Sequence, residues 1–156
     1  MIRRAEGKDI PAVTELLLQV CEVHHIGRPD IFNHQAMKYT PSQLAEIFAD
    51  SSRPVFVYED EKGAVIGHAF CVLQETDPGN HALAHIKTLY IDDICVDENH
   101  RGNHVASQLY EYVKAFAKEN GCRSITLNVW ACNPGALAFY KSRGMEIQKY
   151  GMEELL

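Results

Sequence analysis

Arg101 and Gly102 sit in a short polar turn between an apolar strand and a long amphipathic helix. The surrounding stretch reads Ile91-Asp92-Asp93-Ile94-Cys95-Val96-Asp97-Glu98-Asn99-His100-Arg101-Gly102-Asn103-His104-Val105-Ala106. A strand–turn–helix of this kind points free backbone N–H groups and the positive end of a helix dipole at one spot. Such a spot binds phosphate. A cation just before a helix N-terminus is disfavoured by ~0.3–1 kcal/mol, and a bound pyrophosphate reverses that penalty at Arg101. Gly102 and the N–H groups of Asn103, His104, Val105, Ala106 and Ser107 are therefore the candidate cradle.

Other residues carry chemistry as well. Asp92 and Asp93 are neighbouring carboxylates on a strand. Successive strand residues face opposite sides, so only one of them faces a given cleft unless a bulge intervenes. Asn133 followed by Pro134 is a helix cap with a first-turn proline. Tyr140 lies two helical turns further on, on the same helix face as Leu137. Cys21, His24, His25 and His34 show no clean zinc spacing, and no metal is expected. Nothing in the sequence fixes Cys95 or Cys132 beside a histidine, so a thiol hydrolase has no support.

These groups need a scaffold, and the chain supplies one. Ile2 to Ala5 is a strand. Asp9 caps a first helix, with Pro11 in its first turn and Ile10, Val13, Leu17 and Val20 at helical spacing to about Val23. His24 to Thr40 reads as a loop, and Pro41-Ser42 opens a second helix. Val55 to Tyr58 and Ala64 to Leu73 form a hairpin. A surface loop, Gln74 to Ala84, leads to a strand from His85 to Val96. Val105, Leu109, Tyr112, Val113 and Phe116 give one helix face, closed by Asn120-Gly121. Ser124 to Ala131 alternates as a strand. Asn133-Pro134 starts a helix ending at Arg143-Gly144, and Met145 to about Glu153 is expected as a last strand. The order β-α-α-β-β-β-α-β-α-β predicts a mixed sheet with helices on both faces, in the α/β or α+β class.

Composition narrows the classes. A length of 156 residues predicts one domain over 1–156,. A chain that long buries roughly 70% of its unfolded surface and needs no staples. The net charge of −6 argues against a general nucleic-acid binder, which needs a basic face,. The longest apolar runs are far too short to span a bilayer, and Met1 to Glu6 lacks the apolar core of a signal peptide. Five cysteines with no Cys-x-x-Cys pattern suggest reduced thiols in a cytosolic (cytoplasmic) protein,.

With these elements in place, the chain resembles the GNAT superfamily of N-acetyltransferases in three stretches. Tyr90-Ile91-Asp92-Asp93-Ile94-Cys95-Val96 resembles the family's strand beside acetyl-CoA. Arg101-Gly102-Asn103-His104-Val105-Ala106 resembles its signature Gln/Arg-x-x-Gly-x-Gly/Ala. Asn133-Pro134-Gly135-Ala136-Leu137-Ala138-Phe139-Tyr140, with Gly144 beyond, resembles its later Asn-x-x-Ala-x-x-x-Tyr. The element order matches over nearly the whole chain. One position departs: the signature's middle glycine is His104. Within the first helical turn a histidine is tolerable; in a left-handed position it puts CoA affinity in question.

The resemblance implies a central, mostly antiparallel sheet with a splayed strand pair. It implies acetyl-CoA as co-substrate, with its diphosphate on residues 101–107 and its pantetheine amides on the backbone of Ile94, Cys95 and Val96. Asn133 would reach CoA or an ordered water, alongside its capping role. Tyr140 would be the general acid for the departing thiolate: a phenol of pKa ~10 stays protonated, and a thiol titrates near ~8.5. The attacking primary amine must lose a proton, at about 4–5 kcal/mol at pH 7 for a lysine-like group. Asp92 or Asp93 would help as base or bind a cationic acceptor. Holding amine and thioester together contributes up to ~7–11 kcal/mol, so direct transfer in a ternary complex suffices. Arg28 and Asp30, in the variable segment after the first helix, would contact the acceptor, a small molecule or a peptide. A homodimer is implied by analogy with paired last strands. The rivals are a CoA-binding module without catalysis and a transferase of another acyl group.

Overall fold

The computed structural model describes residues 1–156. Its elements are β1 (Ile2–Arg4), α1 (Ile10–Gly27), α2 (Pro41–Ala49), β2 (Val55–Glu59), β3 (Val65–Glu75), β4 (Lys87–Val96), α3 (Val105–Glu119), β5 (Ser124–Leu127) and α4 (Pro134–Ser142). Short 3₁₀ turns span Gly7–Asp9 and Glu98–His100. The strands form one sheet in the order β1-β2-β3-β4-β5. The first three pairings are antiparallel and β4–β5 is parallel. The expected mixed, mostly antiparallel sheet of the α/β class is therefore present.

Each sheet face buries its own cluster. Phe56, Ala69, Leu89 and Ile91 pack against Val105, Leu109 and Val113 of α3. Val55, Val57 and Phe70 pack on the other face against Val13 and Leu17 of α1 and Leu44 and Ile47 of α2. The side chains of α4 that reach inward, Phe139 and Tyr140, join the α3 cluster. The apolar spacing along α1 and α3 thus sorts the two helices to opposite faces.

Two irregularities in β4 shape the cleft. Phe70 pairs with Asp93 while Cys71 pairs with Ile91, so Asp92 is an extra, bulged residue,. Before the bulge, Leu89 and Ile91 face α3; after it, Ile94 and Val96 do, and Cys95 turns to α1, where its Sγ donates to the Leu16 carbonyl at 3.4 Å. The second irregularity is on the β5 side. The parallel ladder ends at Ile91 opposite Leu127, while β4 runs on to Val96. The two strands therefore separate, leaving the last residues of β4 without a neighbour on that edge.

The structure corrects several expectations from the sequence. α1 continues to Gly27 rather than Val23, so His24 and His25 are helical. Asp9 sits at the cap of α1 but does not cap it: its carboxylate takes Arg3 at 2.7 Å and the Glu6 amide at 2.8 Å instead. β5 stops at Leu127 rather than Ala131. The expected last strand, Met145 to Glu153, does not form. Alternate residues there run Met145, Ile147, Lys149, Gly151 on one side and Glu146, Gln148, Tyr150, Met152 on the other. Neither side is consistently apolar, so no face rewards burial. The segment is tethered by a salt bridge from Glu153 to Arg28 at 2.9 Å.

Candidate active site

The cradle is a backbone object. Gly102 has φ +82° and His104 has φ +60°, and α3 begins at the next residue. The first well-formed helical bond is Gln108 N–H to the His104 carbonyl at 3.0 Å. No N–H from Gly102 to Ser107 makes a well-formed hydrogen bond within the chain. A run of free donors at the positive end of a 15-residue helix favours negative charge there,. Val105 is buried and its side chain belongs to the core, so it serves the cradle with its amide alone. Arg101 is exposed; its Nε lies 3.4 Å from the Val96 carbonyl and its terminal nitrogens are unpaired.

His104, the departure from the signature, takes the conformation that puts CoA affinity in question. It occupies the left-handed region, not the first helical turn. A non-glycine residue there costs roughly 1–2 kcal/mol, although histidine is among the residues that adopt it most readily. The turn before the cradle is pinned by Asp97. Its carboxylate accepts from Gln19 of α1 at 2.9 Å, from the Asn99 amide at 3.0 Å, and pairs with His100 at 2.9 Å. The Gln19 and His100 bonds hold the Asp97 carboxyl down at about 2.

Beyond the cradle lies the open edge of β4. Ile94, Cys95 and Val96 run along it with no strand on the β5 side. Burial pushes the Cys95 thiol up to about 12, and its hydrogen bond goes to a carbonyl rather than a histidine. That thiol stays protonated and is no nucleophile. Cys132 is exposed and packs against Gly27 of α1. No group of three or more His, Cys, Asp or Glu side chains gathers into a metal site.

The bulge brings both aspartates to the α1 face, and their neighbours then separate them. Asp92 is held by Lys38 at 2.9 Å and by the Tyr39 hydroxyl at 3.3 Å. Burial pulls the Lys38 ammonium down, but the Asp92 bond and charge outweigh it and raise it overall. Asp93 has a different partner: its Oδ2 lies 2.7 Å from Nε2 of His68, a fully buried residue of β3. The other Asp93 oxygen has no partner in the chain, and the side chain is 10% exposed. The Asp93 charge raises the proton affinity of Cys21, His24, Lys38 and Tyr140. Burial outweighs it at His24, whose imidazole is held low.

Tyr140 enters from α4. Its ring packs on Tyr110 and Phe139 at centroid distances of 6.3 and 5.1 Å. Burial first, and then the Asp93 charge, push its phenol above the ordinary range, so it holds its proton. The helix that carries it starts where expected: Asn133 Oδ1 accepts from the Ala136 amide at 3.1 Å. That cap occupies the oxygen, leaving the amide nitrogen for any further role. A wall of aromatic rings closes the α1 side: His24 against Phe32 at 5.0 Å, and Phe32 edge-on to Trp130 at 5.1 Å.

Arg28 and Asp30, the expected acceptor contacts, are engaged with each other. Two hydrogen bonds of 2.8 and 2.7 Å join them, and the Arg28 Nη2 that bonds Asp30 also donates to Glu153 at 3.1 Å. The sequence reading missed His68, Lys38, Tyr39 and Trp130. For His68 a signal existed: it is a lone polar residue in the apolar run Val65-Ile66-Gly67-His68-Ala69-Phe70.

This arrangement has counterparts among known proteins. The acetyltransferase (GNAT) family model matches residues 17–145. A mutant form of the BH1408 protein from Bacillus halodurans is 33% identical, with 100% of this chain and 99% of that chain covered at a TM-score of 0.95. An acetyltransferase of Trypanosoma brucei is 19% identical over 100% of this chain and 99% of its own, at a TM-score of 0.72. Glucosamine-6-phosphate N-acetyltransferase from Arabidopsis thaliana is 21% identical over 99% and 97%, also at 0.72. No curated protein matches the sequence significantly. No helix is long and apolar enough to cross a membrane. With the family model spanning most of the chain, and a third of its residues shared end to end with a protein of the same shape, the chain belongs to the GNAT acetyltransferase family.

Proposed function

We propose that the chain transfers an acetyl group from acetyl-CoA to a primary amine by direct attack in a ternary complex. The observation that carries this reading is the run of unpaired amides from Gly102 to Ser107, opening onto the unpaired edge of β4. Unpaired N–H groups at a helix N-terminus, joined to an unpaired strand edge, offer donors to an anion and to amides. The amides and Arg101 fit the diphosphate. The free edge of Ile94, Cys95 and Val96 fits the pantetheine amides.

Asp93 receives the amine through the oxygen that has no partner within the chain. Asp92 is less suited to a cationic amine, because its charge is already balanced by the Lys38 ammonium on Oδ2, where the Tyr39 hydroxyl also donates. A carboxylate at hydrogen-bond distance favours an amine approaching as a cation and accepts its proton, directly or through water. Tyr140 faces the departing sulfur. With its phenol raised by burial, complete proton transfer to a thiolate of pKa ~8.5 is uphill. Tyr140 therefore acts mainly by donating a hydrogen bond as negative charge develops on sulfur. The aromatic wall of His24, Phe32 and Trp130 suits an acceptor whose amine is carried on an apolar body.

The free cysteines fit a reducing compartment, and we infer a cytoplasmic location,. Two chains are proposed to pair along the outer edge of β5, which ends the sheet. The test of function is a panel of primary amines with acetyl-CoA, reading CoA thiol release and acetylated product by mass. At least one amine is expected to turn over. Tight CoA binding with no product from any amine would leave a CoA-binding module. Faster transfer from succinyl-CoA or a longer acyl-CoA would reassign the donor.

A further inference from the structure

His68 is the one polar side chain sealed wholly inside the sheet, and it touches the site from behind. Its Nε2 is 2.7 Å from Asp93 Oδ2, while its Nδ1 is buried with no partner. The ring packs edge-on to Phe70 at 5.0 Å. The orphan nitrogen bears on the tautomer. A neutral ring with its proton on Nδ1 would bury an N–H donor facing nothing, at a cost of about 1–3 kcal/mol, and would set the Nε2 lone pair against the carboxylate oxygen. The tautomer with its proton on Nε2 donates to Asp93 and leaves only an unused lone pair.

We propose that His68 is the positioning residue for Asp93 in acetyl transfer, an inference that rests on the transferase reading above. The buried imidazole fixes one carboxylate oxygen as an acceptor and so aims the other at the acceptor amine. The bulge at Asp92 supplies the geometry, because it turns Asp93 to the face on which His68 lies. The titratable groups whose proton affinity the Asp93 charge raises are Cys21 and His24 from α1, Lys38 from the α1–α2 loop, Cys95 from β4 and Tyr140 from α4; His68 from β3 contacts Asp93 directly. Among them only His68 is within hydrogen-bond distance of Asp93.

The test compares His68→Gln with His68→Leu. Glutamine places an amide N–H near the position of Nε2; leucine fills the space and donates nothing. Each is assayed for kcat and KM with the best amine from the panel, for CoA affinity by calorimetry, and for thermal midpoint. The expected result is a fall in kcat of about tenfold or more for His68→Leu. CoA affinity stays within about twofold, and His68→Gln recovers most of kcat. Equal kcat in wild type and a folded His68→Leu protein overturns the inference, as does a folded His68→Gln protein no better than leucine. If both variants fail to fold, Asp93→Asn in the wild-type background decides: unchanged kcat and KM for the amine overturn the inference. A wild type that acetylates no amine removes the function and this inference together.

Discussion

The two ends of the cleft are built in opposite ways. The cradle at Gly102 to Ser107 puts its functional groups on the main chain of consecutive residues. The acidic end collects side chains from α1, the α1–α2 loop, β3, β4 and α4 around Asp93. A backbone site depends on φ angles and on the helix that comes after it; it tolerates most side-chain changes that respect both. A side-chain site depends on single atoms and fails when one is removed. The cradle should therefore set affinity for CoA, and the acidic end should set turnover and acceptor recognition.

The largest effect is expected at Tyr140. Replacing it by phenylalanine removes the hydroxyl and leaves the packing on Tyr110 and Phe139. Steady-state kinetics should show kcat lower by about 10²-fold or more, with CoA affinity nearly unchanged. A loss of CoA affinity with kcat intact would place Tyr140 in binding rather than chemistry.

Next in size is the contrast between the two aspartates. Asp93→Asn should lower kcat/KM for the amine by about tenfold to 10²-fold. Asp92→Asn breaks only the Lys38 and Tyr39 contacts and should change it by less than about threefold, since an exposed ion pair contributes about 1 kcal/mol or less. The reverse ranking would exchange their roles.

The cradle comes third. Gly102→Val forces a β-branched residue to φ +82°, a strain of roughly 1–2 kcal/mol or more. Calorimetry should show CoA weakened by about tenfold, at 1.4 kcal/mol per decade, with kcat at saturation unchanged. His104→Gly removes strain at φ +60° but adds unfolded-state freedom of about 0.5–1 kcal/mol. Both are folding terms that leave the cradle amides in place, so CoA affinity should stay within about threefold.

The smallest effect concerns pH. Folded Asp97 titrates at about 2 because of its bonds to Gln19 and His100, below the ~3.9 of an unfolded aspartate. Its contribution to stability is complete above the unfolded value and fades as pH falls through about 2. The thermal midpoint of wild type should exceed that of Asp97→Asn at neutral pH. The gap should close between about pH 4 and 2 in differential scanning calorimetry.

The same contrast explains what was legible in the sequence. Arg101, Gly102 and the helix after them lie together in the chain, so one short motif with its flanking periodicity is enough to place the cradle. Tyr140 is legible through the capped helix that carries it. Asp93 is ambiguous with Asp92 until the bulge is seen, because strict alternation would send them to opposite faces. His68, Lys38 and Trp130 reach the site only through tertiary contact, across separations that no local pattern encodes. The left-handed angle of His104 is hidden for a related reason: the signature names a glycine, and histidine conceals the φ it adopts. The last segment misled because its length and position suggest a strand, while its side chains offer no apolar face.

The most direct test of the central claim is a titration of CoA into ¹⁵N-labelled protein, followed by amide NMR. The amides of Gly102 to Ser107 should move together and downfield as they acquire an anionic acceptor, saturating with a single dissociation constant. CoA binding that leaves those resonances in place, or no binding at millimolar CoA, would contradict the claim.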